Sequence, residues 1–296
     1  MLTQLGERVF VVPGGVNVGV VRADNGRVLL IDTGINETNG KKVLKAIREE
    51  RGGEVAAILT THGHADHFGA NAAVVKRTGA RVYASSLDEA VLRYPLLQPS
   101  SLYGGADPLD ALRTGFLLAH ASPVDETVEP GPLAVEGVEI EVIRLAGHSM
   151  NQVGYLIDDV FFCADVVLPE NVLAKYRIPY LFSVTDHLAA LETAANVVCA
   201  VAVPGHGAIV ESLGDLIALN RGLIEDVADR VVEFCAVEST AEVVLARLLR
   251  HFEAPVGDAP GFYLLQPTVY AFLSHLSRAG RITHAIRDGQ SLWTAM

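Results

Sequence analysis

The chain has 296 residues, half of them hydrophobic, with 35 Asp and Glu against 23 Lys and Arg, a formal charge of −12. That length and apolar content can bury a core without disulfides or a structural metal, and the composition excludes disordered, collagen-like and low-complexity classes. The acidic balance disfavours a general nucleic-acid or anionic-membrane binder, whose affinity rests on Lys and Arg.

Residues 8–21 and 27–31 are β-branched and apolar, punctuated by Pro13-Gly14-Gly15 and Asp24-Asn25-Gly26, and predict the opening hairpins of a sheet. After Asp32-Thr33-Gly34, helical spacing runs from Glu37 to Glu50, with Val43, Leu44 and Ile47 on one face and Gly52-Gly53 as a stop. A short buried strand is expected over Val55 to Thr61, a helix over Phe68 to Thr78 and a strand over Arg81 to Ala84. A β-rich start followed by β/α alternation indicates the α/β class. The stretch 85–132, rich in Pro, predicts an irregular covering insertion whose Tyr94, Tyr103 and Phe116 are candidates to roof a pocket.

A second sheet is expected from Ala134 to Leu145, Gly154 to Asp158, Val160 to Cys163 and Val198 to Val203, with a helix at 186–196 before the last strand. Leu213 to Phe234 is purely helical in pattern. The remaining residues predict a small separate unit. Ser239-Thr240 caps a helix with Val243, Val244, Leu245, Leu248 and Leu249 inward, Asp258 to Gly261 interrupt, a second helix covers about 267–279, and a hairpin turns at Asp288-Gly289. Helix, helix and hairpin is the winged-helix pattern. The expected division is therefore 1–212, a helical connector at 213–235, and a winged-helix-like α+β unit at 236–296.

The strongest chemical signal is Thr60-Thr61-His62-Gly63-His64-Ala65-Asp66-His67, directly after a predicted buried strand. Three imidazoles and a carboxylate crowded there are costly unless a cation coordinates them. Spacing of two residues lets His62 and His64 point to one side of an extended loop, while Asp66 and His67 begin the next turn and can face a second ion. Three more signals sit where predicted strands end: Gly147-His148-Ser149, Cys163-Ala164-Asp165 and Gly205-His206-Gly207. Ligands on sequence-distant strand ends can converge on one rim of the sheets, and glycines beside them permit close backbone approach.

On these motifs the sequence resembles the metallo-β-lactamase superfamily over roughly residues 8–212. Its HxHxDH motif stands here as His62, His64, Asp66 and His67, its isolated His as His148, its bridging Asp as Asp165 and its final His as His206. The resemblance implies an αββα sandwich and a dinuclear site. His62, His64 and His148 would bind one metal, Asp66, His67 and His206 the other, and Asp165 would bridge them with a hydroxide. Zinc is the expected metal, with iron or manganese as alternatives. Asp32 of the Asp32-Thr33-Gly34 pattern is expected to be buried in support of the site and not to be a ligand. One departure is Gly69-Ala70, where many members carry Gly-Gly; a slightly altered helix start is expected.

Two cations lower the pKa of a shared water and polarise a carbonyl or phosphoryl oxygen, so hydrolysis is the expected reaction, with Asp66 able to accept or return a proton. A small ester, thioester or lactone is the expected substrate. Lys175, Tyr176 and Tyr180, just after Asp165, are candidate substrate contacts: an amine for a carboxylate, a phenol for a developing oxyanion. Two rivals remain at this point, a lactamase-like nuclease using the winged-helix unit and a mononuclear iron persulfide dioxygenase. Against the first, Arg247, Arg250, Arg278, Arg281 and Arg287 are balanced by Glu238, Glu242, Glu253, Asp258 and Asp288, and the second helix offers only Arg278. The unit is instead expected to serve packing or homodimer formation and to wall the site.

Cys163, Cys199 and Cys235 include no CxxC, which suits a reducing, cytoplasmic compartment, and Cys163 is expected to be a core thiol. The N-terminus has no secretory pattern, and no stretch is expected to span a bilayer. His120, His187, His251, His275 and His284 have no partners at metal spacing, and Trp293 is expected to close the terminal hairpin.

Overall fold

The computed structural model describes residues 2–50 and 52–296. Its first sheet runs β1 (Thr3–Gln4), β2 (Val9–Val12), β3 (Val18–Arg22), β4 (Val28–Ile31), β5 (Val55–Leu59), β6 (Arg81–Ser85) and β7 (Glu126–Val128), adjacent in that order. The strands are antiparallel up to β4 and parallel from β4 to β7. The second sheet comprises β8 (Gly131–Val135), β9 (Val138–Arg144), β10 (Val153–Ile157), β11 (Val160–Ala164) and β12 (Val201–Pro204), antiparallel except for the β11–β12 pair. Every residue of β4, β5 and β11 is buried, because each faces apolar layers on both sides.

Three hydrophobic layers make this a sandwich. Val21, Leu29, Leu59, Val142, Tyr155 and Phe162 meet between the two sheets. The outer face of the first sheet packs Leu30, Ile58 and Val82 against Val43 and Ile47 of α1 (Glu37–Glu49) and Val74 of α3 (Asn71–Thr78). The outer face of the second packs Phe161 and Cys163 against α7 (Val184–Ala195) and α8 (Gly214–Phe234). The order helix, sheet, sheet, helix is the expected αββα arrangement. α9 (Ala241–His251), α10 (Ala259–Arg278) and the hairpin β13 (Ile282–Arg287)–β14 (Gln290–Ala295) add to the same hydrophobic cluster through Leu245, Leu248, Phe272, Leu276 and Ile282. Among the described residues, no helix is long and apolar enough to cross a membrane.

Several elements differ from the sequence reading. The stretch 134–145 is not one strand: Glu136 and Gly137, both with positive φ, turn β8 back into β9. The helix expected over 68–78 is split into α2 (Ala65–Phe68) and α3, with Ala70 at φ −92, a conformation open to any residue. The 85–132 stretch carries α4 (Asp88–Arg93), α5 (Leu97–Leu102), a 3₁₀ turn and β7. Residues 258–261, read as an interruption, instead start α10. Asp258 is its N-cap, accepting from Gly261 N at 2.9 Å, and Pro260 lies in the first turn, where no N–H has an intrahelical partner. Pro267 is thus inside the helix and not at its start. Val243 is exposed, contrary to the inward placement expected of it. A further short helix, α6 (Glu170–Tyr176), follows β11.

Candidate metal centre

All the motif residues follow strand ends on one rim of the sandwich. Asp32 follows β4, His62 follows β5, His148 follows β9, Asp165 follows β11 and His206 follows β12. His62, His64 and His148 present one ligand atom each within 4.8 Å of one another, as do Asp66, His67 and His206. Asp165 stands between the two groups: its Oδ2 is 3.4 Å from His148 Nε2, 3.5 Å from His67 Nε2 and 3.3 Å from His206 Nε2.

Neighbouring acceptors fix how these rings point. The Thr61 hydroxyl donates to Asp32 Oδ2 at 2.8 Å, so it can only accept from His62 Nδ1, 3.1 Å away, which turns His62 Nε2 to the site side. Asp32 Oδ2 also accepts from His67 Nδ1 at 2.8 Å, and Asp32 Oδ1 accepts from Thr61 N at 2.8 Å. His148 Nδ1 donates to the Tyr180 carbonyl at 3.2 Å and His206 Nδ1 to the Gly15 carbonyl at 2.5 Å. Each outer nitrogen is occupied and each Nε2 is turned inward, the arrangement that orients metal ligands. His64 is the exception, offering Nδ1, which lies 3.0 Å from His62 Nε2.

Two buried atoms inside this cluster, His67 Nε2 and Asp165 Oδ1, have no hydrogen-bond partner. Buried polar atoms are otherwise almost always paired, so the donor set fits divalent cations, with nitrogen and carboxylate ligands suited to zinc, iron or manganese. Glycines make the approach possible. A Cβ on Gly205 would stand 2.0 Å from Asp165 Oδ1, and one on Gly147, whose φ is +132, would stand 2.3 Å from His187 N.

The electrostatics divide the cluster into two halves. Burial lowers His62 well below its usual value, His64 to about 4 and His148 to about 3, so that group is neutral near pH 7. Burial also disfavours a charged His67, but the Asp165, Asp32 and Asp66 carboxylates outweigh it and raise it to about 10. Asp165 likewise raises His206, to about 11, against the opposing effect of burial. Burial pushes Asp66 up, yet the His67 and His206 charges hold it at about 2.

Other residues brought here carried no sequence signal of their own. Asp88 is buried and accepts from Gly63 N at 3.1 Å, Ser149 Oγ at 3.0 Å, Asn151 N at 3.1 Å and Ser85 Oγ at 3.2 Å, tying the His62–His64 loop to the His148 loop. Burial raises its carboxyl to about 6, against those four donors. Gln152 holds Asp165 through its backbone N at 3.3 Å, and Asn17 Nδ2 donates to the Pro204 and Gly207 carbonyls on either side of His206. A polar Asn17 within an apolar strand run was the one visible hint.

A cavity of about 620 Å³ opens over the cluster, reaching His64, Asp66, His148, Asp165 and His206. Lys175, Tyr176 and Tyr180 all line it, as does Phe116. Tyr180 also stands edge-on to His64 and His148, with ring centroids 5.4 and 5.7 Å apart. Tyr94 and Tyr103 do not line it: Tyr94 is exposed, and Tyr103 packs edge-on against Tyr263 of α10 at 4.9 Å. Cys163 is a buried core thiol, as expected, and Trp293 packs against the core while its backbone pairs with Ser239.

An αββα sandwich with a His and Asp cluster on its rim defines the class of protein. The family model of the metallo-beta-lactamase superfamily matches residues 11–206, and the chain belongs to that superfamily. The chain is 27% identical over 184 residues, 60% of its length, to a hydroxyacylglutathione hydrolase from Albidiferax ferrireducens. That match spans 58% of the relative. It is 20% identical over 291 residues, covering 95% of this chain and 76% of the other, to an atrochrysone carboxyl ACP thioesterase from Passalora fulva. Among solved structures, a beta-lactamase domain protein from Burkholderia ambifaria matches with a TM-score of 0.79 at 20% identity, over 100% of this chain and 94% of that one. A metallo-beta-lactamase family protein from Thermus thermophilus matches with a TM-score of 0.72 at 18% identity, over 97% and 98%. At these identities the likeness is one of fold, and it extends through the C-terminal helices.

Proposed function

We propose that this chain is a metal-dependent hydrolase that holds two divalent ions, zinc foremost, and cleaves an ester, thioester or lactone. The observation that carries it is Asp165 Oδ2 standing between the two ligand groups beside the unpartnered His67 Nε2. In this reading His62, His64 and His148 would hold one ion, Asp66, His67 and His206 the other, and Asp165 would serve both. When bound, such a pair supplies Lewis acidity and a hydroxide nucleophile at neutral pH. The relatives named as a hydroxyacylglutathione hydrolase and an ACP thioesterase support a thioester-cleaving chemistry.

The chain's own residues supply the rest. Asp66, held ionised and lining the cavity, accepts and returns a proton. Burial raises the Tyr180 phenol to about 12, so it remains a proton donor near neutral pH and is placed to meet a developing oxyanion. Lys175 and Tyr176 meet the substrate at the cavity wall. The C-terminal unit, 236–296, acts by walling that cavity and not by reading nucleic acid.

The test is metal quantification of the purified protein, followed by a panel of lactones, thioesters, β-lactams and phosphodiesters. Two ions per chain and turnover of an ester, thioester or lactone are expected. One iron per chain, or turnover confined to phosphodiesters, would overturn the reading. Asp165→Ala is expected to lose metal and cut turnover by about 100-fold or more; retention of both ions with full activity removes the bridging role.

A further inference from the structure

The cavity above the cluster is apolar on three sides. Val256, Leu264 and Leu265 come from α10 and the loop before it, Leu173 and Ile178 from α6 and the loop after it, and Phe116 from the segment between β6 and β7 of the first sheet. Among the described lining residues Lys175 is the sole Lys or Arg, and the carboxylate of Asp258 lines the same cavity. A thiol moiety bearing several carboxylates or phosphates needs a matching set of cations to replace its hydration. These walls do not supply one. An apolar chain placed there gains about fourfold in affinity for each methylene removed from water. The volume, about 620 Å³, lies within the range of pockets that enclose a whole small ligand and far exceeds an acetyl group.

We propose that this cavity is an acyl-chain site, so that the substrate is an ester or thioester with an extended apolar acyl group lying against α10 and α6. This rests on the hydrolase reading above. It assigns the C-terminal helices a direct part in selecting substrate, since half of the named apolar wall comes from residues 256–265. It also separates this chain from a hydrolase built for an anionic thiol carrier.

Two measurements on the metal-loaded full chain test it. The first is kcat/KM for thioesters of N-acetylcysteamine with acyl groups from acetyl to decanoyl. The second is calorimetric binding of the straight-chain carboxylates from acetate to decanoate, which requires no turnover. Both are expected to strengthen at least tenfold from two to eight carbons. Leu264→Trp, which narrows the cavity, and Val256→Gln, which makes its wall polar, are each expected to reduce the decanoyl-to-acetyl ratio at least fivefold. Two variants at separate wall positions guard against misfolding of one.

A flat chain-length profile in both measurements overturns the proposal. So does a preference for a glutathione thioester over the N-acetylcysteamine thioester of the same acyl group. Length-dependent carboxylate binding without turnover of any ester or thioester leaves the acyl site standing and overturns the hydrolase reading instead.

Discussion

Asp88 shows how the site is held at the scale of single residues. Its carboxylate takes four hydrogen bonds that join loops carrying His62, His64 and His148. Replacing it by Asn puts an N–H₂ group against donors that have no other acceptor. Asp88→Asn is therefore expected to lower metal affinity about 10- to 100-fold and stability by about 1–3 kcal/mol. Chelator competition and urea denaturation measure the two effects, and an unchanged affinity would show that the loops hold themselves. The candidate ligands His62, His64, Asp66 and His67 were legible in the sequence because they fall within six consecutive positions, and His148, Asp165 and His206 because each follows a readable strand. Asp88, Gln152 and Asn17 were not, because the partners through which they hold the site lie 13 to 190 residues away in sequence.

At the scale of elements, α10 is the instructive case. The residues Asp258-Ala259-Pro260-Gly261 contain the signals of a turn, and the same residues make a helix start when the Asp side chain caps and the Pro falls in the first turn. Local sequence cannot choose between the two; the apolar face that follows, packed against α7, α8 and α9, decides. Phe272 and Leu276 are fully buried in that face. Phe272→Ala is expected to cost about 3–5 kcal/mol in urea denaturation, and a loss under 1 kcal/mol would mean that the helix is not anchored as its packing implies. The hairpin turn at Glu136-Gly137 was missed for a related reason, since the apolar alternation continues across it. By contrast, the long α8 was legible because its helical spacing extends over the whole element, and the buried strands β4, β5 and β11 because they are apolar throughout.

For the whole molecule, the opening charge balance acquires a location. The C-terminal unit is electrically neutral, so the −12 belongs to residues 1–235, where Asp32, Asp66 and Asp165 surround the cluster. In the metal-free chain His67 and His206, raised to about 10 and 11, carry the compensating protons at pH 7. Coordination requires neutral imidazoles, so binding at that half must displace protons and strengthens as pH rises toward 10. Chelation is expected to lower the melting temperature, because ligands bound only to the folded state stabilise it by about 2.7 kcal/mol at 100 times their Kd. The drop should be larger at pH 8.5 than at pH 6 at the same free metal concentration. Thermal scans with and without chelator check this, and an equal or reversed difference would contradict the proton competition.

By itself the sequence determined the α/β class, the clustering of His62, His64, Asp66, His67, His148, Asp165 and His206 at strand ends, and their resemblance to one superfamily. These follow from local spacing and from strands whose burial is uniform. Only the tertiary structure decided that Asp165 lies between two ligand groups, that Asp88 joins their loops, and that α10 walls the cavity. Each of those depends on contacts between distant segments, and their formation is driven by burial of apolar faces in layers that no short stretch of chain can specify.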